Sequence, residues 1–242
     1  MNLPLRLEKI AEAVPVSACA ADIGCDHAYV SIALIEKGKA SHVIACDVRP
    51  GPLEAAERNI RAAGMSGKIE TRLGDGLAPV RTGEADTVII AGMGGELMRR
   101  ILNGRLGDFR EFVLSPQSDL AMFRHFLTGQ HMDITAETMV EDGGKYYVIM
   151  NVKRECICGG APDAAADTAA ADTAAGSAVG IHAEYEYIYG WRLLEQKSPV
   201  FLRFLRKEKN RLEGILSITD KDTVRREYAY LKEAMDRTGE KE

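Results

Sequence analysis

No stretch of the 242 residues approaches the roughly 18 consecutive apolar positions of a membrane-spanning helix. The N-terminal run MNLPLRLEKIAEAV alternates charge with leucine and lacks the apolar centre of a signal peptide, so a cytoplasmic protein without membrane association is expected. Paired cysteines are also missing. Cys19, Cys25, Cys46, Cys156 and Cys158 are odd in number and form no CxxC, which excludes a disulfide framework and fits thiols in a reducing compartment. No metal is expected either, since Cys156 and Cys158 alone offer too few ligands at an unusual spacing. A surplus of positive charge is absent: 31 Lys and Arg face 36 Asp and Glu, so the global balance argues against a polyanionic partner, and only local clustering can reverse that. Finally, the dinucleotide fingerprint GxGxxG is lacking. The stretch ADIGCDHAYVSIAL, residues 20–33, carries one glycine, Gly24, where such turns carry two or three.

What is present is a periodic alternation. SACAADI (17–23), SHVIACDV (41–48), GKIETRLGDG (67–76), ADTVIIAGMGG (85–95) and EFVLSPQSD (111–119) read as strands, interleaved with helix candidates. Those candidates are 28–37, 51–64, 95–103 and 118–128, and a further helix, 4–13, opens at a proline suited to a first turn. The pattern predicts an α/β fold, a Rossmann-like, mostly parallel sheet covered on both faces. After it, residues 132–154 place a Gly-Gly turn between two strand-like runs, an antiparallel final hairpin. Residues 1–158 are therefore assigned to a catalytic domain.

Residues 159–183 follow as an alanine-rich, low-complexity linker with an imperfect ADTAA repeat and no apolar face. Residues 184–242 read as two amphipathic helices divided at Thr219 and Asp220, with Asp220 or Asp222 as a cap, packed as a coiled-coil-like hairpin. Arg192, Lys197, Arg203, Arg206, Lys207, Lys209 and Arg211 outnumber Glu195 and Glu208, which makes this segment basic. Such a run is either a solvated helix face or a phosphate-contacting surface.

The polar residues gather at the ends of successive strands, where open parallel sheets bind ligands. Asp22 and Gly24 open the first turn, before a helix N-terminus able to receive a ligand anion; Asp47, 23 residues beyond Gly24, suits a ribose diol. NAD and S-adenosylmethionine both fit up to this point. Asp75, between Gly74 and Gly76, suits an adenine amino group and has no counterpart in a dehydrogenase fingerprint, which favours the methyl donor. Gly92, Met93 and Gly94 mark a fourth turn, either a close approach to the ligands or tight helix-strand packing.

ADIGCDHAYV, GDGL, IAGMGG and YGWRLLEQKSPVFLRFL resemble the bacterial tRNA (adenine(22)-N1)-methyltransferase family, across nearly the whole chain apart from the alanine-rich insert. The resemblance implies a class I S-adenosylmethionine-dependent enzyme whose basic hairpin holds tRNA; a monomer is expected. It departs at Cys25, where relatives carry serine, and at the insert. Neutral adenine N1 already offers a lone pair, so alignment matters more than a base. The Asn/Asp-Pro-Pro-aromatic motif of exocyclic amino methylation is missing after the fourth strand; Ser115-Pro116-Gln117 is a partial echo, with Ser115 and Gln117 candidate lining of the acceptor pocket. Asp26 is the candidate to stabilise the cationic product, the alternatives being donor binding or helix capping. His27 orients Asp26, contacts RNA or caps the helix, and Tyr29 stacks on an extruded base or packs in the core. Arg192, Lys197, Arg203, Arg206 and Lys207 are the candidate tRNA contacts. The competing functions are methylation of another RNA or a small molecule, and RNA binding without turnover.

Overall fold

Seven strands, β1 (Ser17–Ile23), β2 (Ala40–Asp47), β3 (Ile69–Leu73), β4 (Thr87–Met93), β5 (Glu111–Pro116), β6 (Met132–Asp142) and β7 (Lys145–Arg154), form one sheet in the order β3-β2-β1-β4-β5-β7-β6. The computed structural model describes residues 3–154 and 182–240, so Cys156, Cys158 and nearly all of the expected linker lie outside the described residues. Strands β1 to β5 pair in parallel, and β7 is antiparallel to both β5 and β6. The β6–β7 turn therefore emerges at the same edge as the carboxyl ends of the parallel strands. That turn uses Gly143 and Gly144, both at positive φ (58° and 76°), the backbone a tight hairpin requires.

Period-two alternation sorts the strand residues onto two faces. Ile23, Ile44, Ile90, Phe112 and Met150 face one core; Ala20, Val43, Ile89, Val113 and Ile149 face the other. Helices α1 (Leu5–Ala13), α2 (Tyr29–Glu36) and α3 (Pro50–Ala62) cover the second face. Helices α4 (Gly95–Leu102) and α5 (Leu120–Gly129) cover the first. Pro4 caps α1 from outside rather than starting it. No helix follows β3: residues 74–86 form a loop that buries Leu77 and Val80, held by Arg105 donating to the Leu77 and Val80 carbonyls (3.1 and 2.8 Å). Gly74, Gly76, Pro79 and Gly83 explain why a helix does not start there.

The C-terminal segment is not two helices but four, α6 (Glu184–Tyr189), α7 (Trp191–Gln196), α8 (Pro199–Leu216) and α9 (Asp222–Thr238). Gly190, at φ 90°, breaks the first run. Ser198 then caps α8 by accepting from the Phe201 N–H (3.3 Å), with Pro199 behind it at the first helical position. Neither Asp220 nor Asp222 caps α9; the cap residue is Lys221, and Asp220 pairs with Arg225. Helices α8 and α9 do form the expected antiparallel hairpin, yet Tyr187, Trp191, Phe201, Leu205, Leu231 and Met235 continue the α4–α5 core. No helix among the described residues is long and apolar enough to cross a membrane.

Candidate active site

The ends of β1, β2 and β4, the loop after β3 and helix α1 enclose a cavity of about 530 Å³, well inside the range of small-molecule sites. Its first wall is the turn from β1 into α2. Gly24, Asp26 and Ala28 all have positive φ (76°, 50° and 59°). The turn thus takes left-handed backbone at three alternate positions, two of which carry side chains, a strain of roughly 1–3 kcal/mol per non-glycine residue. At position 24 the positive φ disfavours a side chain, and an added Cβ would also have to displace the mobile end of Met93, whose Cε would lie 2.2 Å away. A register shift between Ala91 and Met93 accompanies that approach at the end of β4.

Asp47, at the end of β2, ties the turn in place. One carboxylate oxygen accepts from the Asp26 N–H (3.3 Å), the other from the Arg49 N–H (2.9 Å), and the side chain stays buried at the cavity wall. Asp22 is buried as well and accepts a 2.6 Å hydrogen bond from Ser31 Oγ. Burial pushes its carboxyl up to about 6 against that bond, with nearby Asp47 adding to the rise. A fold that raises an acid this way binds its proton more tightly than the unfolded chain does, so stability falls as pH climbs from about 4 to about 6. Asp22→Asn is therefore expected to stabilise the ligand-free protein by about 1–3 kcal/mol at pH 7.5. The gain should vanish near pH 4, as urea denaturation at the two pH values will show.

Asp75 is exposed on the loop after β3, with Gly76 at φ 53°, and both line the cavity. Gly92 and Met93 line it too, as do Ser115 and Gln117. Gly94 does not. A Cβ on Gly94 would meet Ser118 Oγ at 2.8 Å and one on Gly95 the Ser118 carbonyl at 2.7 Å, so these two glycines serve helix-strand packing against the β5–α5 turn. Asp26, His27 and Tyr29 stand together at the rim: His27 Nε2 lies 3.8 Å from Asp26 Oδ1 and its ring stacks on Tyr29 at 5.5 Å. Helix capping is not their task, because the α2 cap is Ala28 and no side chain bonds the helix start. Burial disfavours the thiolate of both cavity cysteines, raising Cys25 strongly and Cys46 to about 12.

The basic C-terminal residues divide by position. Arg192 donates to the Ile134 carbonyl (2.9 Å) at the start of β6, the edge opposite the cavity, about 23 Å of strand away from Glu141. Arg203 instead pairs with Glu141 (3.3 Å), and Lys207 sits over the Tyr146 ring (5.1 Å), both beside the β6–β7 turn at the cavity edge. Arg206 is engaged by Glu240, Lys209 by Glu213 and Arg211 by Glu208. Lys197, left-handed at the end of α7, is exposed. The charge surplus counted along the sequence is thus largely met by carboxylates, several from other elements. Sequence reading passed over Arg6, Leu7 and Ile10 of α1 and Tyr147 of β7, all of which line the cavity. The available signal was Arg6 itself, a cation placed in the first turn of a helix, where the dipole disfavours it.

A parallel sheet ending in an antiparallel hairpin, with acids closing β1 and β2 over a glycine-hinged cavity, defines the S-adenosylmethionine-dependent methyltransferase class. Residues 3–150 match the methyltransferase domain family model. The chain is 31% identical over 241 residues to the tRNA (adenine(22)-N(1))-methyltransferase of Bacillus subtilis, covering 98% of this chain and 94% of that protein. The crystal structure of the B. subtilis m1A22 tRNA methyltransferase TrmK superposes with a TM-score of 0.75 at 27% identity, over 99% of this chain and 98% of that one. A Streptococcus pneumoniae structure in complex with S-adenosyl-L-methionine does so at 0.78 and 29%, over 97% and 100%. The protein belongs to the tRNA (adenine(22)-N(1))-methyltransferase family.

Proposed function

We propose that the protein transfers a methyl group from S-adenosylmethionine to N1 of adenine 22 in tRNA. One observation of the cavity carries the choice of donor: Asp22, Asp26, Asp47 and Asp75 line it against only Arg6 and Arg49. Four carboxylates repel a pyrophosphate and attract a ligand bearing ammonium and sulfonium charges. Asp22, ionised above about pH 6 with no cationic side chain contributing to its field, faces the ligand's ammonium; Asp47 takes the ribose diol and Asp75 the adenine amino group. The donor supplies a methyl carried on a sulfonium. The chain's own residues align the acceptor and meet its developing positive charge, which is the task of the Asp26 carboxylate at the rim, with His27 and Tyr29 flanking it. A general base is unnecessary, because N1 carries no proton to remove. The setting for such chemistry is cytoplasmic, and α8 extends the tRNA surface through Arg203 and Lys207 at the cavity edge.

Incubation with unmodified tRNA and S-adenosylmethionine, followed by mass-spectrometric mapping, is expected to place a single methyl on adenine 22; a methyl elsewhere or none overturns the assignment. In the same assay the Arg203→Ala/Lys207→Ala double variant should raise the KM for tRNA and flatten its salt dependence without changing donor affinity. An unchanged salt slope removes α8 from the RNA surface.

A further inference from the structure

We infer that Arg6 and Tyr147 form the far wall of the acceptor site, Arg6 holding a backbone phosphate of the target nucleotide and Tyr147 packing against its base. The inference rests on the methyltransferase reading and adds residues from two elements that carry none of the donor site. The topology brings them there: β7 runs antiparallel to the parallel strands, so its first residues reach the edge where β1 and β4 end. Tyr147 and Arg6 both line the cavity, on the side facing away from Asp75 and the ends of β2 and β3. The guanidinium lies 5.6 Å from the Tyr147 ring centroid, and Nη1 donates to Asp142 Oδ2 at 3.1 Å. A guanidinium carries five N–H donors, and this bond occupies one of them. Its side chain remains 39% exposed, which leaves the others open to the cavity.

Charge and helix physics point the same way. A cation in the first turn of α1 opposes the helix dipole, and Asp142 offsets that cost by pairing with Arg6 and accepting weakly from its backbone N–H (3.5 Å). The result is a cavity with an acidic donor end and a cationic far wall, matching a cationic methyl donor and a phosphate-flanked base. Strand alternation extends the wall outward. Tyr147 faces α1 and the cavity, whereas its neighbour Tyr146 faces α8, in edge contact with Phe204 (5.3 Å) and beneath Lys207. One pair of tyrosines therefore links the base pocket to the basic helix.

The test uses the full chain with unmodified tRNA and S-adenosylmethionine. Arg6→Ala is expected to raise the KM for tRNA about tenfold and to reduce the slope of log KM against log salt by about one, as loss of a single phosphate contact does. Tyr147→Ala should lower kcat/KM roughly tenfold or more while Tyr147→Phe, which keeps the ring, retains nearly all of it. Donor affinity by calorimetry should stay at the wild-type value throughout. If Arg6 only pins α1, Asp142→Asn and Arg6→Ala will lower the melting temperature alike and leave the salt slope untouched, which overturns the inference. A wild-type protein that binds no donor and methylates no tRNA defeats the underlying reading instead, so the two failures are told apart.

Discussion

Replacing Arg124 by methionine should cost about 3–5 kcal/mol of folding stability, the usual consequence of leaving one half of a buried ion pair without its partner. Arg124 on α5 and Glu137 on β6 are both fully buried, with Arg124 Nε donating to Glu137 Oε1 at 2.8 Å. The guanidinium also donates to the Tyr187 and Ile188 carbonyls (2.7 and 3.0 Å) at the end of α6, so one side chain joins the sheet, a covering helix and the C-terminal helices. Gly190 completes the fit, because a Cβ there would lie 2.5 Å from Glu137 Oε2 and 2.7 Å from Arg124 Nη2. Yet the pair is not fully satisfied: Glu137 Oε2 and Arg124 Nη2 have no well-aligned hydrogen-bond partner. Its net worth over an apolar pair is consequently small, and the double variant Arg124→Met/Glu137→Leu should recover most of the loss. Urea midpoints of the two single variants and the double variant decide this. Equal losses in single and double variants would show that packing volume, not charge, holds the junction.

The residues that made the fold legible are those whose period depends only on neighbours in the chain. The short unbroken apolar runs in VIIAGM and SHVIACD announce strands buried on both faces, and paired glycines after Asp142 announce the last hairpin. The helix break at Gly190 escaped the same reading, because the apolar period of α6, α7 and α8 runs on through it; its cause is the approach of Glu137 and Arg124 from elements more than 50 residues earlier. Charge counting failed for a related reason. Arg203, Arg206 and Arg192 look like a cationic face in sequence, but Glu141, Glu240 and Asp133 reach them in space. The acids Asp22, Asp47 and Asp75 were legible as cavity lining because each lies at or just past the end of a strand and the sheet brings strand ends together. Tyr147 was not, since only the antiparallel insertion of β7 places it beside those acids, and Arg6 offered no more than a cation at odds with its helix dipole.

Asp47→Ala is expected to weaken S-adenosylmethionine binding about 30- to 1,000-fold, equivalent to about 2–4 kcal/mol for two charge-assisted hydrogen bonds. Two effects coincide in this side chain. Its lone pairs beyond those given to the Asp26 and Arg49 N–H groups face the cavity, where a ribose diol is proposed to donate, and its existing bonds hold the strained turn. Asp26→Gly separates them. Glycine relaxes the backbone at φ 50°, removes the rim carboxylate and leaves Asp47 in place, so the protein should gain about 0.5–1 kcal/mol of stability with donor affinity unaltered. The same variant should lower kcat by about 10- to 100-fold, because a group that meets developing charge acts in the transition state and not on the resting donor. Calorimetric donor affinity read beside kcat for both variants is the measurement. If Asp26→Gly instead loses donor affinity at unchanged kcat, Asp26 belongs to the donor site and does not meet the charge that develops on the acceptor.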